Sequence, residues 1–349
     1  MRVLVTGHLG YIGPHVVDLL LEAGHQVTGV DLNLFEDSKI YDHRLPQVNR
    51  IMDVWDLAPR DLEGHDAVIH LAAISNDAMG IFNPELTWKV NYEGTIHVAE
   101  CAKEAGVPRF LFSSSCSVYG KSGDMPIDER GATAPVSVYA ETKVRSEEAL
   151  GRLADEAFTP VYLRNATAYG TSPRMRLDLV VNHLMASAFS TGEIKVLTDG
   201  TPWRPLVHCR DIARAFLHFL KAPRELIHNQ AFNVGSLTET YQVRDVAHLV
   251  HELLPHCAIT FAEGATSDPR DYKVDFGKLE RTLPGYKLSY TLRRGAVELL
   301  DHYCRFLPKD CLSGDRFIRL KTLKRKLEAN EVPSYFHVAV APSGRVARC

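Results

Sequence analysis

Residues 2–20 read RVLVTGHLGYIGPHVVDLL: a β-branched apolar run, a turn with glycines at 7, 10 and 13, then apolar positions three and four residues apart. A strand that feeds a helix through such a turn aims unpaired backbone N–H groups and the positive end of the helix dipole at one point. Glycines there let a phosphate come close to the backbone. Gly7, Gly10 and Gly13, with Tyr11 and Ile12 between them, are therefore read as a pyrophosphate-binding loop. The next run, QVTGVD at 26–31, ends in Asp31, about 20 residues beyond the loop, where a carboxylate accepts hydrogen bonds from an adenosine ribose. It would repel a 2′-phosphate, and the following LNLF carries no arginine to reverse that sign, so NAD is favoured over NADP. Asp53, closing VNRIMD, and its neighbour Val54 are candidate adenine contacts.

Outward from this loop, DAVIHLA (66–72), RFLFSS (109–114) and PVYLRN (160–165) read as strands, and 11–23, 84–106 and 137–157 as helices. That alternation is the rhythm of βαβ units, and the fold class is α/β: a Rossmann-type doubly wound parallel sheet. Pro84 suits a first helical turn, and Gly106 with Pro108 suits an end. Beyond Tyr169 the rhythm loosens through PRMRLDLVVNHLMASA, IKVLTDGTPWRPLVH, AFNVG and a helix over 244–254, which suggests a smaller C-terminal α/β substrate lobe. The expected organisation is a dinucleotide-binding domain over 1–169 completed by segments near 205–235, a substrate lobe over 170–305, and a basic extension over 306–349. That extension contains RLKTLKRK and ends in VAVAPSGRVARC, an aperiodic tail that fits either a docking arm or disorder.

Composition narrows the function. The 349 residues carry a net charge of −3, which offers no field for nucleic acid or a membrane surface. No run of apolar residues is long enough to span a bilayer. Seven scattered cysteines without a C-x-x-C pair argue against a disulfide framework or a zinc site and suggest a reducing, cytoplasmic setting. Sixteen histidines include no H-E-x-x-H spacing, so no metal is expected.

Tyr139 and Lys143 stand four apart in YAETK, on one face of a predicted helix. A phenol of ordinary pKa ~10 is a weak base at neutral pH. An ammonium ~4 Å away would stabilise the phenolate by about 4 kcal/mol at an effective dielectric near ~20, up to about three pKa units. Tyr139 is thus a candidate base for taking a hydroxyl proton while hydride leaves the same carbon. Ser113, Ser114, Ser115, Cys116 and Ser117 end a strand at the carboxyl edge of the sheet, and one of the hydroxyls could hold the substrate oxygen.

Together these motifs resemble the extended short-chain dehydrogenase/reductase family, in its NAD-dependent nucleotide-sugar epimerase/dehydratase branch. The resemblance spans roughly 1–300 and rests on TGHLGYIG, Asp31, HLAA (70–73), VNYEGT (90–95), SSSCSVYG, Y-x-x-x-K, LRNATAYG, FNVG and TPWRPLVHCRDIARA. It implies that Ser115, four residues before Tyr119 in S-x-x-V-Y-G, joins Tyr139 and Lys143 in catalysis, and that Lys143 also holds the nicotinamide ribose. It implies that Leu71, Ala72, Ala73, Asn91 and Ser113 contact the cofactor. Ser75, Ser115, Cys116, Ser117, Asn165, Asn182, Arg204 and Arg270 become substrate candidates, Asn165 and the two arginines for a diphosphate and Asn182 for the base pocket. Two departures stand out. Cys116 and Ser117 occupy the place of the Asp-Glu pair that eliminates water in 4,6-dehydratases, which argues against dehydration. Cys116 lies one residue from a cysteine used by some 3,5-epimerases, and is read first as a buried or cofactor-facing thiol and second as an acid/base. The basic extension is absent from the better-known epimerases. The implied activity is C4 epimerisation through transient hydride transfer to NAD and a 4-keto sugar, in a homodimer packed through 84–106 and 137–157. The alternatives are a net keto-sugar reductase or dehydrogenase, a 3,5-type epimerase and a non-catalytic nucleotide sensor.

Overall fold

The computed structural model describes residues 1–75, 77–121, 125–262 and 270–337. Its centre is a sheet of seven parallel strands: β1 (Arg2–Thr6), β2 (Gln26–Asp31), β3 (Val48–Ile51), β4 (Ala67–His70), β5 (Arg109–Ser115), β6 (Thr159–Asn165) and β10 (Gln230–Val234). Their order across the sheet is β10-β6-β5-β4-β1-β2-β3. The chain runs outward from β1 to β3, then crosses back to place β4 on the other side of β1. The reversal opens a crevice beyond the paired ends Thr6 and His70, the place where doubly wound sheets bind ligands. Val3, Leu4, Val5, Ala67, Val68 and Ile69 are wholly buried, as strands covered on both faces require.

Eight helices of ten residues or more surround the strands among the described residues: α1 (Gly13–Glu22), α2 (Gly94–Glu104), α3 (Val138–Leu153), α4 (Val180–Thr191), α5 (Cys209–Lys221), α6 (Val243–Leu253), α7 (Leu292–Phe306) and α8 (Arg319–Glu328). Two small sheets, β11-β9-β7 (Thr240–Gln242, Trp203–His208, Thr167–Tyr169) and β12-β8 (Ala258–Phe261, Glu193–Val196), lie in the later part of the chain. Around them a second apolar cluster gathers α4, α6 and α7 through Leu184, Val250 and Leu299.

The structure departs from the predicted helix at 84–106. Pro84–Trp88 is α-helical, Lys89–Glu93 is a π-helical turn, and α2 follows. The reason is local: the Asn91 carbonyl accepts the hydroxyls of Thr95 (2.6 Å) and Ser146 (3.2 Å), which displaces the regular backbone ladder for one turn. The third predicted helix is capped by Ser137, whose oxygen accepts the Ala140 amide at 3.2 Å. It stops short of 157, since the Asp155 carboxylate takes the amides of Ala157 and Phe158 and turns the chain into β6. VNRIMD, not read as a strand from the sequence, contributes β3 over Val48–Ile51, and Asp53 falls in the turn behind it. Ordered helix α8 lies inside the basic extension; its tail, 338–349, falls outside the described residues.

Gly7 adopts φ +71°, and a Cβ there would lie 2.6 Å from the Ala72 nitrogen. A Cβ on Gly13 would lie 2.5 Å from the Gly7 oxygen. Left-handed backbone and contact with main chain together exclude a side chain, and neither neighbour can move without moving β4 or α1. Gly7→Ala is expected to lower unfolding free energy by about 2–3 kcal/mol, read by urea titration. A variant as stable as the wild type would show that the loop relaxes freely.

Candidate functional site

A cavity of about 500 Å³ follows the crevice from the glycine loop to the later lobe. Gly7, Gly10, Tyr11, Ile12, Gly13, Asp31, Asp53 and Val54 line one end, and Leu71, Ala72, Ala73 and Ser75 line the strand end opposite. Asp31 is held in place by two main-chain donors, the amides of Leu9 (2.9 Å) and Asn33 (2.7 Å). Tyr11 also faces the cavity, though its hydroxyl is spent on the Gly170 carbonyl at 2.5 Å.

At the centre, strand alternation decides among the serines. Ser114 turns from Tyr139 and donates to Glu147 Oε1 at 2.5 Å. Ser113 and Ser115 point the other way: Ser113 Oγ accepts Asn165 Nδ2 at 3.1 Å, and Ser115 hydrogen-bonds the Tyr139 hydroxyl. Lys143 Nζ donates to the Ser113 carbonyl at 2.8 Å and lies 4.5 Å from the Phe112 ring. Behind this row Arg164 grips Glu147 through Nε (3.0 and 3.1 Å) and Nη2 (2.6 Å), and its Nη1 donates to Tyr119. Tyr119 in turn donates to Asn233 at 2.7 Å, so β5, β6, α3 and β10 share one buried polar network.

Electrostatics correct the expectation for Tyr139. Burial, and then the Asp77 carboxylate, push its phenol up to about 12, opposed by the Ser115 hydrogen bond and by Arg176. Lys143 does not draw the phenol toward neutrality, because the same burial lowers its own ammonium to about 7, with Glu147 opposing. A dry cavity penalises both charges.

Arg204 and Arg270 both reach the cavity, and Arg204 Nη1 donates to the Arg270 carbonyl. Arg270 also pairs with Asp77 at 2.5 Å, and Ser137 donates to the other oxygen of Asp77. Asn165 lines the wall with its amide nitrogen on Ser113 Oγ and the Ser114 carbonyl. Ser117 lines it too.

Three candidates are corrected. Cys116 is wholly buried, its thiol donates to the Arg164 carbonyl at 3.1 Å, and burial pushes it far above the ordinary thiol range. It is absent from the cavity wall, so neither a substrate contact nor acid/base work follows. Asn91 is also buried away from the wall; its amide brackets the Ile74 backbone (2.7 and 2.9 Å) and positions the loop after β4. Asn182 spends its amide on Gly170, Arg176 and Tyr11, which leaves nothing for a nucleotide base.

Sequence reasoning missed Arg176 and Asp77, which face Tyr139, and Tyr272 on the same wall. Arg176 donates to Ser75 Oγ (2.9 Å) and forks onto Asp178 (3.0 Å from both Nε and Nη2). Its signal is the Pro-Arg-x-Arg turn just after LRNATAYG, which delivers it to the crevice. Also missed were Arg319, Leu323, Tyr335 and Phe336 of the extension, all on the cavity wall. Among the described residues no cluster of three or more His, Cys, Asp or Glu could hold a metal ion, and no helix is long and apolar enough to cross a membrane.

Comparison with known proteins completes the site. Residues 3–235 match the NAD dependent epimerase/dehydratase family. The chain belongs to that family. UDP-glucuronic acid decarboxylase 4 of Arabidopsis thaliana is 31% identical over 305 residues, covering 84% of this chain and 67% of that protein. UDP-glucose 4-epimerase of Corynebacterium glutamicum is 29% identical over 317 residues, covering 85% and 94%. Among solved structures, MoeE5 in complex with UDP-glucuronic acid and NAD aligns with a TM-score of 0.75 at 27% identity over 87% of this chain and 99% of that one. The family's cofactor is NAD, and the glycine loop, with no room for a side chain at Gly7 or Gly13, and the fixed Asp31 carboxylate fit it.

Lys143 yields a pH test. An amine whose folded pKa is depressed binds fewer protons folded than unfolded. The cost of burying its charge is therefore full below about 7 and fades as pH rises from there toward the ordinary lysine value. Lys143→Met is expected to raise the melting temperature at pH 6 and to have a smaller effect at pH 9. Equal shifts at both pH values would show that the buried amine carries no such penalty.

Proposed function

We propose that this enzyme epimerises a nucleotide sugar at C4 by transient oxidation. The observation that carries the reading is that Ser115, Tyr139 and Lys143 meet in one cavity, continuous from the glycine loop and Asp31 to Arg204 and Arg270. Ser115 holds the sugar hydroxyl oxygen, Tyr139 takes its proton, and hydride leaves the same carbon. When bound, NAD supplies the hydride acceptor and a positive charge near the phenol. The 4-keto sugar turns within the cavity and regains hydride on its other face, with the proton returned by Tyr139. Arg204 and Arg270 suit the diphosphate, as guanidinium forks match phosphate oxygens. The reading extends to a homodimer packed through α2 and α3.

The relatives favour one close variant. Oxidation of a uronic acid at C4 gives a β-keto acid that can lose carbon dioxide, so decarboxylation shares the first step, and the Arabidopsis relative is a decarboxylase. Arg176 acts on the Tyr139 phenol from this lobe, and its fork is already occupied by Asp178. That supports a neutral sugar over a uronate.

Purified enzyme with NAD should convert one member of a panel of UDP-, GDP-, dTDP- and CDP-sugars to its C4 epimer, with no net change in nicotinamide absorbance. Tyr139→Phe should lower kcat by about 10²–10⁴-fold without loss of bound NAD. Steady nicotinamide turnover would replace this reading with a net reductase or dehydrogenase, and carbon dioxide release from UDP-glucuronic acid with a decarboxylase. Cys116→Ala should leave turnover within about threefold, since its thiol faces the core; a large loss would revive the 3,5-type mechanism.

A further inference from the structure

The extension is built into the cavity. Helix α8 and the turn at Ser334–His337 cover the end of the crevice beyond Asp31 and Asp53. Leu323 and Phe336 are 1% and 2% exposed, and they join Ile74, Met79 and Leu86 in an apolar cluster against which Leu32, Leu34 and Phe35 pack. Polar ties hold the segment there, among them an Arg325–Asp37 ion pair. Arg319, itself buried, stacks 4.1 Å from the Phe35 ring and donates to Ser38 Oγ at 2.9 Å. Arg316 donates to the carbonyls of Asp37 (2.5 Å) and Lys39 (2.8 Å). Tyr335 donates its hydroxyl to Asp53 Oδ2 at 2.5 Å, while Asp53 Oδ1 accepts the Trp55 amide at 3.1 Å.

These contacts select one end of the cavity. Asp31 and Asp53 follow β2 and β3, on the side of the sheet away from Tyr139, and a dinucleotide with its pyrophosphate at the glycine loop places its adenosine there. Without residues 315–337 that end would be bounded by Leu32, Leu34, Phe35 and Met52, an apolar wall open to water. Phe336 and Leu323 back the missing wall: almost wholly buried, they show the cavity only an edge and hold Leu32, Leu34, Phe35 and the half-buried Tyr335 against it. Tyr335 also fixes the Asp53 carboxylate, leaving it oriented toward the cavity it lines.

The structure assigns residues 315–337 to the cofactor site: they form the outer wall of the adenosine pocket, with Phe336 and Leu323 as its packed apolar backing and Tyr335 positioning Asp53, and they hold NAD in place from one turnover to the next. This rests on the NAD-dependent reading above and extends it to a segment outside the matched residues 3–235. Retention suits a reaction that restores its own oxidant, because a cofactor that is regenerated in place need not exchange.

The test uses the full chain stripped of nucleotide and titrated calorimetrically with NAD, with ADP-ribose (NAD without its nicotinamide) and with nicotinamide mononucleotide (the half without adenosine). Phe336→Ala should weaken NAD and ADP-ribose by about tenfold or more, and Tyr335→Phe should weaken both by less, with nicotinamide mononucleotide unchanged. A chain ending at Gly314 should lose most bound NAD on gel filtration. If the two point variants bind ADP-ribose as the wild type does, the assignment is overturned even should the shortened chain unfold, since the segment would then only complete a core. The binding readout is independent of the sugar reaction: silence across the sugar panel leaves it intact, whereas wild-type enzyme that fails to bind NAD overturns both.

Discussion

A buried carboxylate holds the catalytic row in register. Glu147 lies on α3 one turn beyond Lys143 and two beyond Tyr139, and it is buried among β5, β6 and α3. A lone charge there would be untenable, so it is met by the Arg164 fork and the Ser114 hydroxyl. Satisfying it fixes three things at once. Arg164 sets α3 against β6, Ser114 sets β5 against α3, and strand alternation then turns Ser113 and Ser115 to the face that Tyr139 and Lys143 share. Removing one partner of such a pair typically costs ~3–5 kcal/mol, so the network resists drift of the row, and its Glu147 charge also acts on the Lys143 ammonium.

What the sequence disclosed follows from how local each signal is. The glycine loop, Asp31 and the Tyr139–Lys143 spacing are short-range patterns, and the structure puts each of them on the cavity wall. Parallel strands buried on both faces leave continuous apolar runs, so five of the seven strands were legible too; the edge strand β3, VNRI, is largely exposed and carries no such run. Polar residues were harder to place. Asn91, Asn182 and Cys116 sit in segments of the right kind, but each satisfies nearby backbone groups, and whether an amide faces a ligand or a carbonyl depends on packing that spacing does not encode. Arg176, Asp77 and Tyr335 were missed for the opposite reason. Their partners lie far away in the chain: Ser75 for Arg176, Arg270 for Asp77, Asp53 for Tyr335. The basic composition of the extension assigned it no role, yet Arg319 is drawn inward by Phe35 and Ser38.

The cavity's cations are already engaged. Arg176 is forked onto Asp178 and Arg270 pairs with Asp77, so an anion entering near either must compete with a carboxylate in place. That competition sharpens choice. On the proposed reading, a diphosphate would offer two charges and several oxygens to Arg204 and Arg270 together and so compete with a single carboxylate, whereas a lone uronate carboxyl beside Arg176 would offer no more than Asp178 already does.

Burial acts on the catalytic pair from both sides and toward one protonation pattern. It raises the Tyr139 phenol and lowers the Lys143 ammonium to about 7, so near neutral pH the phenol keeps its proton while the amine sits close to its midpoint. Phenol plus amine holds the same protons as phenolate plus ammonium. Passing from one to the other needs no exchange with solvent, only a field that favours separated charge. Both groups are buried, and at such a position a field is felt more strongly than in bulk water. A cation placed beside the phenol would therefore strengthen Tyr139 as a base, and its loss would return the proton to the oxygen. The enclosure that makes Tyr139 a poor base alone is what makes its strength depend on the charge bound next to it.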